Sequence, residues 1–500
     1  MAVFNARMTT EHARGLSLWS IGTLVLAVPV WAFIVTSSLM SRVSDGGIFL
    51  SVASGISRGL PLYTGVWENK DPLFFMAMVG AGAINDTGPF VMDWLWIPIG
   101  ALGGWLIARS LMSGDRALLV GGVLVPLILV GPFYQAGWAV TPGTSLTLLS
   151  LGLVMARWGV AAGIVLGLLA FTKLIVWPIA VACILVVLVA PAFRRAAVRA
   201  IVSALVSMAG VLALLAVAGW LVPYANSLQR NRAYASDVLV YFGFEGSPMG
   251  HLTKLAGEWQ FSQWIATGIV AGISVLLLLT WVARPVWRTP ERGAITLWVI
   301  FATVGTAGSL SLSYVWGHHA QAVYLPTSLA VIGIAALLPE RWPYLVWLGL
   351  TLAIVWGASG MGTAAMELQR YETSRNDFAA KWAEMREVPT DARLVNSVPI
   401  KEFTFARLGT NDDRGFLTAV RDGATLGCPE FHLYDFSPPT AFENMLDCLK
   451  TVDVVLKTDN FDAFARGARA ANALPVLDYL GWGFNCLRIG DRQLCTRKET

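Results

Sequence analysis

Apolar stretches long enough to cross about 30 Å of hydrocarbon recur along the chain at 16–36, 91–111, 117–134, 139–156, 200–222, 264–283, 294–314, 319–338 and 343–363. Two shorter apolar pieces, 159–171 and 174–190, meet at Thr172-Lys173. The pattern predicts a polytopic α-helical membrane protein with about 11 spans. Segment 73–84 is apolar but too short to span comfortably, so it is expected to be re-entrant or juxtamembrane. From residue 367 the pattern changes: charges become frequent and apolar runs shorten, as in a soluble domain. There, Val452 to Leu456 reads as a buried strand, Asp462 to Ala471 as a helix, and Asn485 to Lys498 as a β-hairpin turning at Gly490-Asp491. The expected division is a membrane domain, 1–366, with a first outer loop at 37–72, followed by a small α/β domain, 367–500.

Arginine placement sets the expected orientation, because Lys and Arg in short loops stay cytoplasmic. Arg7, Arg14, Arg109, Arg116, Arg157, Arg194, Arg195, Arg199, Arg284, Arg288, Arg292 and Arg341 all fall on one side if the chain starts inside. The 37–72 loop, the 223–263 loop, His318 and the C-terminal domain then lie outside. Arg7 and Arg14 precede the first apolar run, which has no convincing small-residue cleavage site and reads as a retained signal anchor. Composition agrees with a bilayer solvent: 500 residues are 56% hydrophobic and 14% charged, with 21 Trp, several of them at predicted span ends. A net charge of +4 is too small to argue for a nucleic-acid partner.

Four of the 5 cysteines, Cys428, Cys448, Cys486 and Cys495, lie in the C-terminal domain. Counting outward from Gly490-Asp491 pairs Ile489 with Arg492, Arg488 with Gln493, Leu487 with Leu494 and Cys486 with Cys495. Cysteines facing each other at a non-hydrogen-bonded site, with Cα atoms about 4.5 Å apart, are within disulfide reach. By elimination, Cys428 pairs with Cys448. Such bridges persist in oxidising compartments, which agrees with an outer location; the competing reading is free thiols in a reducing one. No C-x-x-C spacing points to zinc.

The candidate chemistry lies in the first outer loop. Asp45 sits in Ser44-Asp45-Gly46-Gly47, where glycines let the backbone turn sharply. A carboxylate beside hydrocarbon is partly desolvated and suits a general base acting on a hydroxyl; the competing reading is a turn or helix-cap aspartate. Lys70, in Trp67-Glu68-Asn69-Lys70-Asp71-Pro72, precedes a helix-starting proline. An ammonium there suits a fixed phosphate, while the bland alternative is a snorkelling lysine paired with Glu68. Lys173, between two apolar pieces, is costly unless paired or facing water. Arg232 in the 223–263 loop has the planar fork that clamps phosphate, and His318 and His319 stand at the start of a late span.

The order of these stretches resembles the polyprenyl-phosphate-sugar-dependent membrane glycosyltransferases of the GT-C fold, among them aminoarabinose transferases and protein O-mannosyltransferases. The resemblance rests on the loop aspartate, Leu60-Pro61-Leu62-Tyr63, Trp67-x-x-Lys70-x-Pro72-Leu73, Gly167 to Lys173, Asn231-Arg232-Ala233-Tyr234, and His319 seven positions before Pro326; it covers residues 16–365. Two departures stand out: Lys70-Asp71-Pro72 replaces the usual Lys-Pro-Pro, and Tyr134 to Pro142 lacks the acidic residue often found there. The resemblance implies that Asp45 activates the acceptor and that Lys70 contacts the lipid phosphate, with Lys173, Arg232 and His319 also on that phosphate and Glu68, Arg58 and His318 in support.

The expected function is sugar transfer from a polyprenyl-phosphate donor to an acceptor hydroxyl on a glycan, lipid or protein. It would proceed with inversion at the outer face of a plasma or inner membrane. No cofactor is required; a divalent metal is compatible with the chemistry, yet the loop shows no cluster of hard oxygen ligands. Two rivals stay open. A transporter or flippase of a lipid-linked glycan should show buried ions in mid-span and internal duplication. A non-catalytic scaffold subunit should tolerate loss of Asp45.

Overall fold

The computed structural model describes residues 44–66, 68–82, 88–112, 114–130, 137–241, 289–312, 321–337, 404–408, 425–428, 439–457, 461–489 and 492–498, with single helical positions at 268, 272, 275 and 279. The expected spans at 16–36, 264–283 and 343–363 lie outside the described residues or nearly so, as do His318, His319 and the boundary at 367.

The helical part begins with α1 (Ser44–Ser57), α2 (Pro72–Gly80) and α3 (Gly88–Leu111). A continuous helix with a π turn follows: α4 (Gly114–Leu119), the π-helical turn (Val120–Leu124) and α5 (Val125–Leu129). Then come α6 (Val140–Met155), α7 (Gly159–Leu169), α8 (Trp177–Val186), α9 (Pro191–Val217), α10 (Leu221–Tyr241), α11 (Pro290–Leu312) and α12 (Tyr324–Leu337). Most expected runs reappear as helices, and three corrections have physical causes. The 117–134 run is continuously helical from Gly114 to Leu129 but holds a π turn at Val120–Leu124, just before Pro126, which has no N–H to continue the ladder. The 200–222 run starts at Pro191, since a proline is well suited to a first helical turn and Arg194, Arg195 and Arg199 do not oppose helix. The 37–72 segment is not a loop throughout: Ser44 to Ser57 is helical, with Asp45 in the first turn. The glycine pair costs about 1 kcal/mol per residue in helix, but Phe49, Val52, Ala53 and Ile56 recur at helical spacing and Phe49, Val52 and Ala53 are buried, so packing outweighs propensity.

Close helix contacts use small residues. Gly159, Gly163 and Gly167 of α7 stack along α9 against Ala196, Ala200 and Ala204, and a Cβ added at Gly163 would sit 2.2 Å from the Ala200 carbonyl oxygen. This is the small-xxx-small spacing that lets backbones approach in membranes. Gly103 of α3 likewise meets the backbone of Leu148 and Leu149 on α6. Among the described residues, α9 is long and apolar enough to cross a membrane. Its other face is exposed, with Val206, Leu214 and Val217 at 68%, 70% and 89%, apolar surface that lipid would cover.

The C-terminal part is α/β: β1 (Thr404–Leu408), β2 (Thr425–Leu426), α13 (Pro439–Leu449), β3 (Val454–Lys457), α14 (Phe461–Ala470), α15 (Leu474–Trp482), β4 (Phe484–Ile489) and β5 (Arg492–Arg497). Sheet order is β2-β1-β3-β5-β4, with β1 parallel to β2 and β3, and β5 antiparallel to β3 and β4. Phe442, Met445, Val455, Phe464, Val476 and Leu480 form its core. The hairpin has the expected register, Ile489 opposite Arg492 through Cys486 opposite Cys495. Both expected disulfides are present, Cys428–Cys448 with Cα atoms 5.4 Å apart and Cys486–Cys495 at 3.9 Å. Val455 enters this core, whereas Val454, its neighbour on the other sheet face, joins the apolar core of the helical part. Strand β2 lies against α1, so the sheet rests on the helix that begins beside Asp45.

Candidate functional site

The segment between α1 and α2 folds back on itself. A tight turn at Pro61–Val66 is closed by Tyr63 N–H donating to the Val66 carbonyl at 2.7 Å and by Val66 N–H donating to Pro61 at 3.2 Å. Tyr63 holds φ at +69°, a left-handed conformation that bulky residues adopt only when surroundings impose it. The surroundings are visible: its hydroxyl donates to the Lys70 carbonyl at 2.8 Å, and its ring lies 5.7 Å from that of Tyr224 on α10. Burial and the nearby Asp71 carboxylate push the Tyr63 phenol well above its ordinary range, so it acts as a neutral donor.

Lys70 is enclosed. Its ammonium donates to Glu68 Oε1 at 3.1 Å and to Asn69 Oδ1, and it lies 5.1 Å from the ring centroids of both Phe49 and Trp138. Phe49 and Trp138 meet edge to face at 5.5 Å. Trp138 is set by a turn whose Gly137 N–H donates to Asp93 Oδ2 at 2.8 Å. Thus an acid from α3 reaches the Tyr134 to Pro142 stretch, which carries none itself.

Asp71 caps the start of α2 and is buried. Tyr224 donates its hydroxyl to Oδ1 at 2.9 Å, and the Leu174 N–H donates to Oδ2 at 2.9 Å. Burial raises the Asp71 carboxyl above its ordinary value, opposed by the Leu174 N–H, Lys173, the Tyr224 hydroxyl and Lys70. Asn231 on α10 adds a bond from its Nδ2 to the Asn69 carbonyl at 3.0 Å.

Lys173 sits in the turn between α7 and α8, half-buried and within Coulombic reach of Lys70, Asp71 and Glu68. Two cations and two carboxylates therefore share one neighbourhood drawn from two parts of the chain, 68–71 and 173. Asp45 stands four residues before Phe49 on α1. Arg58 is exposed beyond the end of α1, and Arg232 is exposed on α10. The 223–263 loop is a further correction: Asn231 to Tyr234 lie within α10, and Asn231, not Arg232, reaches the Lys70 loop.

Several site residues were not singled out individually in the sequence. Asp71 appeared only as a neighbour of Lys70, and Tyr63 and Asn231 only as members of short motifs; Tyr224, Asp93, Phe49 and Trp138 join the site through contacts distant in sequence.

No protein-family model matches the chain, and no curated protein matches it. Solved structures do. ArnT from Cupriavidus metallidurans bound to undecaprenyl phosphate aligns over 97% of this chain and 99% of its own, with TM-score 0.58 and 13% identity. The same protein in the apo state covers 95% and 97%, with TM-score 0.55 and 15% identity. The Archaeoglobus fulgidus oligosaccharyltransferase, tethered to an acceptor peptide containing the NVT sequon, covers 97% of this chain and 74% of its own, with TM-score 0.50 and 12% identity. The shared feature is the fold: this chain has the GT-C architecture of helical membrane glycosyltransferases.

Proposed function

We propose that this protein transfers a sugar from a polyprenyl-phosphate donor to an acceptor hydroxyl at the outer face of the membrane. Asp45 takes the proton from the hydroxyl, which attacks the anomeric carbon with inversion as the sugar–phosphate bond breaks. The lipid phosphate leaves against Lys70 and Lys173, with Arg232 and His319 as further contacts. Fixed cations where charge develops lower the barrier without reorganising at the moment of reaction.

One observation carries this reading: Lys70, enclosed by Phe49 and Trp138, has Lys173 within Coulombic reach, and Phe49 stands on the helix whose first turn holds Asp45. The paired cysteines of the C-terminal part support an oxidising, outer location, and the structural likeness to an enzyme bound to undecaprenyl phosphate supports a lipid-linked donor. The C-terminal α/β part, resting on α1, would cover the acceptor side.

The test is Asp45→Asn in membranes supplied with lipid-linked sugar. Transfer should fall by about 100- to 10,000-fold, the range for losing a general base, with the donor still bound. Undiminished transfer sinks the assignment of the base. If cells lacking the protein accumulate no lipid-linked monosaccharide and show no changed glycan, the enzymatic reading itself fails.

A further inference from the structure

The Lys70 loop is held by an acid that the proposed chemistry does not use. Asp71 is 8% exposed, and keeping a carboxylate in such a place is costly unless each oxygen is bonded. Both are: Oδ1 accepts from the Tyr224 hydroxyl on α10 at 2.9 Å, and Oδ2 accepts from the Leu174 N–H at 2.9 Å. The backbone does not call for an acid here. Asp71 has φ −71° and ψ 151°, which suit any residue before a proline and suit proline itself. Its side chain makes no capping bond to α2 either. What the carboxylate supplies is a side-chain tie between two turns. Asp71 directly follows Lys70, and Leu174 directly follows Lys173, so one hydrogen bond links the residues adjoining both lysines. A parallel bond, Leu73 N–H to the Phe171 carbonyl at 2.9 Å, runs between the same two segments.

We infer that Asp71 is a positioning residue that sets the spacing of Lys70 and Lys173 so that both ammonium groups reach one phosphate. This role rests on the reading of the two lysines as lipid-phosphate ligands. Tyr224 is its partner, fixing the carboxylate's rotamer so that Oδ2 faces the Leu174 N–H. Asparagine at 71 keeps the shape but has one carbonyl oxygen where two acceptors are used. Proline keeps the backbone and removes the tie altogether.

The test uses the full chain in lipid nanodiscs and reads the Kd for a polyprenyl phosphate, corrected for the folded fraction, together with the unfolding temperature. Asp71→Asn and Asp71→Pro should each weaken binding about tenfold in the folded protein, and Tyr224→Phe severalfold. The Asp71→Asn, Tyr224→Phe double variant should bind no worse than Asp71→Asn alone, because both changes break one tie. Lys70→Gln reports on the underlying reading. If Lys70→Gln weakens binding while both Asp71 variants bind like the wild type, the positioning role is overturned. The same holds if the Asp71→Asn and Tyr224→Phe effects multiply, or if the weakening disappears after correction for folded fraction. If Lys70→Gln binds like the wild type, the phosphate reading fails and the positioning role falls with it.

Discussion

Replacing Lys70 by methionine separates the two tasks of that ammonium, holding the loop together and meeting a ligand. The charge lies 3.1 Å from Glu68 Oε1, with the two side chains 11% and 9% exposed, and 5.1 Å from two aromatic centroids. At an effective dielectric constant of about 20, unit charges at that distance attract by about 5 kcal/mol. Desolvation of both groups offsets much of this, and each ring contributes about 0.5–1 kcal/mol or more. Removing only the cation strands Glu68, so Lys70→Met should destabilise the protein by about 3 kcal/mol, as breaking a buried pair does. Adding Glu68→Gln takes away the stranded charge and should bring stability back to within about 1 kcal/mol of the wild type. The double variant still lacks the ammonium and should not regain polyprenyl-phosphate binding. Thermal unfolding in detergent and a binding assay on the same preparations read both quantities. If the single variant loses less than about 1 kcal/mol, or the double variant is no more stable than the single, the pair is not interlocked as the geometry implies. If the double variant binds the lipid phosphate like the wild type, Lys70 is not its ligand.

Gly163→Leu should destabilise by about 2–3 kcal/mol or prevent folding, because even its Cβ would meet the Ala200 carbonyl at 2.2 Å in a packed helix pair; thermal unfolding of membranes or micelles reads it, and a neutral result would mean α7 and α9 do not pack this way. Cys486→Ser should cost the C-terminal part about 2.5 kcal/mol and Cys428→Ser about 3 kcal/mol, from loop-closure entropy over separations of 9 and 20 residues; protection of backbone amides in 454–457 from hydrogen exchange measures it, and equal protection with and without the bridges would contradict it. Tyr63→Phe keeps the buried ring and removes only the hydroxyl that donates to the Lys70 carbonyl, so stability should fall by only about 1 kcal/mol while the donor Kd rises severalfold; an unchanged or tighter Kd would speak against a positioning role for the Tyr63 hydroxyl.

Much of the architecture was legible along the chain because lipid and water impose one-dimensional rules. A run of apolar residues must become a helix when no water is present to satisfy its backbone, and the runs at 91–111, 139–156 and 294–314 did so nearly in place. The hairpin register followed from a two-residue turn and the two-residue period of a strand, which is why Cys486 and Cys495 could be paired by counting. Element ends were harder. Gly46-Gly47 signals a turn by local propensity, and only the burial of Phe49, Val52 and Ala53 makes it helix. Pro126 is accommodated by a π turn that hydropathy does not show.

Residue order and hydropathy alone pointed to a chain of apolar helices followed by an α/β segment whose cysteines could pair, and singled out Lys70 as a cation poised at the start of one of those helices. Which groups surround that cation was a matter for the tertiary structure. Tyr224 meets Asp71 across 153 residues and Leu174 meets it across 103, and no local period encodes such pairs. A buried carboxylate bonds whichever donors packing delivers to its two oxygens, and that delivery depends on how α7, α8 and α10 cross, a consequence of side-chain volumes summed over the whole helical core.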